Sequence, residues 1–81
     1  MISIKKTELL EQVNAEISKL PDYDPSIKII DISVDRDGNI DYFLPNVYDI
    51  TKSLLAKEYM EAIDHVFQGK YNILINNTHS R

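Results

Sequence analysis

The sequence predicts an α+β fold in the order α-β-β-α-β, with a three-stranded antiparallel sheet covered on one face by two helices. Three observations carry this reading. Two stretches place apolar residues at helical spacing, two short runs around Asp37-Gly38-Asn39 alternate every second residue, and Ile73-Leu74-Ile75 suits a strand better than a helix. A chain of 81 residues with 43% hydrophobic and 27% charged residues has the composition of an ordinary folded domain. A chain this short buries only a little over roughly 60% of its unfolded surface, so it supports one core and not two. Residues 1–76 are therefore read as one domain, and residues 77–81 as a flexible tail.

From Thr7 to Leu20 the apolar residues Leu9, Leu10, Val13, Ile17 and Leu20 fall within about 100° of a helical wheel, with Glu8, Glu11, Gln12, Glu16 and Lys19 elsewhere. Thr7 or Ser3 supplies the cap, and Pro21 ends the helix by biasing Leu20 away from helical angles. The stretch Pro21-Asp22-Tyr23-Asp24-Pro25-Ser26 has loop composition.

The run from Ile27 to Val34 places Ile30, Ile32 and Val34 on one face and Asp31, Ser33 and Asp35 on the other. The run after the turn sets Ile40, Tyr42 and Leu44 against Asp41 and Phe43. Residues opposite one another in a hairpin share a face, so this pattern requires a loop of odd length. A loop of Asp37-Gly38-Asn39 would put Asp35 against Asp41, whereas a loop from Asp35 to Asn39 pairs Val34 with Ile40 and avoids that repulsion. By the same parity Ile27, Ile29 and Phe43 belong to the outer face, away from the helices.

After Pro45, Asp49 caps a second helix that runs to about Gln68 and stops at Gly69. Its apolar arc comprises Leu55, Ala56, Tyr59, Met60, Ala62, Ile63, Val66 and Phe67, while Ile50 and Leu54 fall on the polar side. A strand from Tyr71 to Asn76 would then run antiparallel to the first hairpin strand, giving the sheet order 2-1-3.

The absence of cysteine excludes disulfides, thiolate metal sites and cysteine catalysis. No apolar run approaches the roughly 18 residues of a membrane span and no signal peptide opens the chain, so a cytoplasmic protein without membrane attachment is expected. The net charge of −4 argues against direct binding of nucleic acid, which depends on Lys and Arg against phosphate. The usage of Ile, Asn, Tyr and Lys is of the kind found in AT-rich genomes, which agrees with a phage or mobile-element origin.

Seven of the eight aspartates lie between Asp22 and Asp49, opposed there only by Lys28 and Arg36. Asp22, Asp24, Asp37 and Asp49 are accounted for by loops, a turn and a cap. Asp31, Asp35 and Asp41 remain, on the open sheet face or its rim beside Phe43, with Tyr48 extending the patch. Apolar anchors bordered by carboxylates have the build of a protein interface. The expected function is that of a small non-enzymatic binding module, a regulator or inhibitor, that docks a basic surface of a larger protein through Asp31, Asp35, Asp41, Phe43 and Tyr48. One alternative is a DNA mimic that occupies a host nucleic-acid-binding protein. Another is a homodimer that buries Ile29, Phe43 and Ile73 or Leu74.

Ser33 to Asp41 matches part of a calcium-loop pattern, but Leu44 stands where the bidentate glutamate belongs and strands flank it, so a turn is the better reading and no cofactor is expected. His65 lies on a polar helix face, and no glycine-rich phosphate loop, HExxH or GxSxG motif is present, so no catalytic site is expected.

Overall fold

The computed structural model describes residues 1–45 and 49–74. Its elements are β1 (Ile2–Ile4), α1 (Lys6–Ser18), β2 (Asp31–Val34), β3 (Ile40–Phe43), α2 (Ile50–Phe67) and β4 (Tyr71–Ile73). The fold is α+β with two helices, but the strands form two small sheets and not one three-stranded antiparallel sheet. β2 and β3 form an antiparallel hairpin, while β4 pairs in parallel with β1 through the register Ile2↔Tyr71, Ser3↔Asn72 and Ile4↔Ile73.

Both helices form where the apolar stripes lie. Leu9, Val13 and Ile17, four residues apart, are buried along α1; Ala56, Tyr59, Ile63 and Phe67 are buried along α2. Asp49 caps α2 by accepting the Lys52 N–H at 2.8 Å. The first helix lacks an equivalent: Lys5 holds the cap position and its side chain makes no capping bond, because β1 runs almost directly into the helix. Glu8 in the first turn supplies the favourable charge there. Leu20 donates to Ile17 at 3.0 Å as the chain leaves α1 before Pro21.

The hairpin has the expected register, with Val34 opposite Ile40, Ser33 opposite Asp41 and Asp31 opposite Phe43. Ile32 and Ile40 enter the core, while Asp31, Ser33, Asp41 and Phe43 are exposed on the other face. The alternation breaks upstream. Ile27 and Ile29, expected on the outer face, are buried among the core residues, and Ile30, expected inside, is 55% exposed. The cause is a β-bulge: Ile30 N–H donates to the Phe43 carbonyl at 2.9 Å although Asp31 is the register partner of Phe43. Two residues therefore oppose one, and the side-chain parity reverses.

The missing antiparallel partner of β2 has a local reason as well. β2 approaches β4, yet no ladder joins them. Ile32 and Tyr42 alternate with bonded pairs, so the Ile32 N–H faces the outer edge of β2, and Asp31 Oδ1 takes it at 2.9 Å. β1 instead supplies the neighbour for β4, with Ile2 donating to Lys70 and Leu74 donating to Ile4. The predicted tail lies outside the described residues, and no described helix is long and apolar enough to cross a membrane.

Candidate functional site

The outer face of the hairpin holds Asp31 and Phe43 as direct cross-strand partners, with Ser33 and Asp41 as the next pair. Phe43 is 46% exposed and Ile30 lies beside it at the bulge. An aromatic ring and an isoleucine thus share one open surface with two carboxylates. Ile30 and Phe43 are thus left in solvent beside carboxylates on this face.

The expected carboxylates differ in how they are engaged. Asp31 Oδ1 lies 2.9 Å from Lys6 Nζ and also accepts the Ile32 N–H, and the Lys6 bond is the main reason its carboxyl is held below the ordinary value, followed by the Ile32 bond. Asp35 is built into the turn. Its Oδ1 accepts the Asp37 and Asn39 N–H groups at 2.9 Å, and its Oδ2 accepts the Asn39 side-chain amide at 3.2 Å. The backbone bond from Asn39 contributes most to lowering its pKa. Asp41 is exposed and makes no ion pair among the described residues. Tyr48 lies outside the described residues. The described members that meet on the open face are thus Asp31, Asp41 and Phe43, with Asp35 turned to the hairpin tip.

Behind Asp41, between β3 and α2, runs a groove of about 280 Å³ lined by Ile40, Tyr42, Met60, Glu61 and Asp64 among others. Three groups order it. Gln68 Nε2 donates to Asp64 Oδ1 at 2.8 Å and to the Ile40 carbonyl at 3.1 Å, while its Oε1 accepts the Ile40 N–H at 2.7 Å. Tyr42 Oη donates to Asp64 Oδ1 at 3.4 Å. Burial, and then the negative charge of Asp64, push the Tyr42 phenol up to about 12, so it stays protonated and remains a donor.

A second amide does for the inner segment what Gln68 does for β3. Asn14 on α1 accepts the Ile29 N–H and donates to the Ile29 carbonyl, both at 2.9 Å. Each amide satisfies both backbone groups of one residue, as a neighbouring strand would, and Gln68 thereby covers part of an edge open to intermolecular pairing. Neither amide's role is marked in the sequence by hydrophobic period or by a motif. The available signal for Asn14 was an asparagine in a helix interior, a position it disfavours unless its side chain bonds elsewhere.

The chain matches no family model, no curated protein and no solved structure. Among the described residues no group of His, Asp and Glu is placed to hold a metal ion. His65 is exposed near the end of α2.

Proposed function

We propose that this protein is a small non-enzymatic binding module, a regulator or inhibitor, that docks a basic surface of a larger protein through the outer face of its hairpin. The observation that supports the reading most is Phe43, 46% exposed and directly opposite Asp31 on a sheet face that neither helix covers. Phe43 and Ile30 would supply the desolvated centre that sets the lifetime of the complex. Asp41, and Asp31 with its Lys6 partner at 2.9 Å, would form the charged rim that steers encounter. The amide of Gln68 on Ile40 favours docking on the face over strand addition along β3.

The homodimer alternative loses one of its anchors, because Ile29 is in the core. The DNA-mimic alternative is weakened by the engagement of Asp31 with Lys6 and of Asp35 with its own turn. The test is affinity capture from the native host with the wild-type chain and with a Phe43→Ala, Asp41→Lys variant. A protein retained by the wild type, released as salt rises and lost with the variant is the expected result. Recovery of the same proteins by both rejects the outer-face reading.

A further inference from the structure

We propose that the groove between β3 and α2 receives one arginine side chain from an extended segment of the basic partner; this deepens the docking reading above and rests on it. Asp41 belongs to both places, standing on the outer face in register with Ser33 and lining the groove. A partner seated on Phe43 would therefore meet the groove at its rim.

Charge complementarity selects the occupant. Asp41, Glu61 and Asp64 line the groove, and among its described lining residues Lys57 alone opposes them. Ile40 and Met60 add apolar wall, which suits the methylene stem of a long cationic side chain whose head reaches carboxylates. Both the Gln68 amide and the Tyr42 hydroxyl bond to Oδ1 of Asp64, which fixes that carboxylate before any ligand arrives. A planar guanidinium with several donors exploits fixed carboxylates better than a compact ammonium does.

The backbone points the same way. Ile40 turns its N–H toward Gln68 on the outer edge of β3, and the antiparallel alternation places the Tyr42 backbone groups on that same edge, beside the groove. An extended segment could pair there for one rung before Gln68 blocks the next. Such a short pairing gives orientation and little affinity, so recognition would fall to the side chain in the groove.

The test is an amide-resonance titration of the full chain with acetyl-Val-Arg-Val-amide and with its citrulline counterpart, which keeps the shape and loses the charge. Saturable shifts centred on Asp41, Tyr42, Glu61 and Asp64 are expected with the arginine peptide, with affinity about tenfold weaker for citrulline. The exposed-site variant Asp41→Asn, Glu61→Gln should weaken the arginine peptide about fivefold or more, and Lys57→Gln should tighten it. Absent groove shifts, equal affinity for the citrulline peptide, or unchanged affinity in the double variant overturns the inference. The single Phe43→Ala change separates the two ideas. If it abolishes partner capture while the groove ignores the arginine peptide, the groove inference alone fails. If the groove binds the peptide and Phe43→Ala captures the wild-type set of proteins, the face reading alone fails.

Discussion

The N–H of Gly69 donates to the carbonyl of Gly38 across 2.9 Å, joining the tip of the hairpin to the turn that follows α2. Both glycines have positive φ, +85° and +75°, but their surroundings differ. A Cβ on Gly38 would lie 2.8 Å from Met1 Sδ and 2.9 Å from Gly69 Cα, whereas one on Gly69 would meet nothing within 4 Å. The methionine tip could yield, but the Gly69 backbone could not do so without breaking the junction.

Gly38→Ala should therefore lose about 3 kcal/mol, combining the left-handed backbone penalty with overpacking. Gly69→Ala carries only the first, about 1 kcal/mol. Urea unfolding of the two variants measures the difference, and equal losses would show that the close approach at Gly38 carries no energetic weight.

The Asn14 clamp gives a second prediction. Asn14→Ala removes the partners of the Ile29 N–H and carbonyl together, at a part-buried site, and should lose about 2–4 kcal/mol. Alanine suits a helix better than asparagine, so helix propensity alone would change stability in the opposite direction. A neutral or stabilised variant in chemical denaturation would mean that water replaces the amide at no cost. Gln68→Ala, on a separate element, should add to it nearly independently.

Tyr59 fixes the loop after α1. Its hydroxyl donates to the Asp22 carbonyl at 2.8 Å and accepts the Asp24 N–H at 2.9 Å, holding Asp22 at a φ of 59°. Tyr59→Phe keeps the ring and its contact with Tyr23, 6.1 Å between centroids, and deletes only these two bonds. A loss of about 1–2 kcal/mol is expected, with faster hydrogen exchange at Asp24. Unchanged exchange there would remove the hydroxyl from the account of the loop.

What was legible in the sequence follows from what side-chain period can encode. The α1 stripe, the α2 stripe apart from the exposed Ala62, and the Val34↔Ile40 register with its loop from Asp35 to Asn39 rest on period or parity and are present, and the Asp49 cap, read from side-chain chemistry, is present as well. Side-chain parity breaks at Ile30, where a bulge defined by one N–H bond to Phe43 leaves no mark in the hydrophobic pattern. Phe43 lies downstream of the bulge and kept its expected exposure; Ile27 and Ile29 lie upstream and did not. β1 escaped because Ile2-Ser3-Ile4 is too short to establish an alternation, and its partner is remote in sequence. The order 2-1-3 fell with it. At the candidate site, parity placed Asp31 and Asp41 on the open face, but it could not foresee that Asp31 would be held by Lys6 or that Asp35 would close its own turn.

That turn supplies the last prediction. The carboxyls of Asp35, Asp31 and Asp24 are all held below the ordinary value of 3.8, chiefly by the Asn39 N–H, by Lys6 and by the Ser26 hydroxyl respectively. A carboxyl with a lowered folded-state pKa binds protons more readily when unfolded, so its stabilisation is complete above 3.8 and is lost as pH falls through the lowered value. Titration of these three groups leaves stability flat between about pH 5 and 8, and lowers it below about pH 4. Asp35→Asn isolates the hairpin tip, since the amide retains one acceptor oxygen without the charge. It should start less stable at neutral pH and decline less steeply in acid. Urea midpoints at neutral and acid pH for both proteins decide the matter: parallel declines would place the acid sensitivity at Asp31 and Asp24 and remove Asp35 as a source.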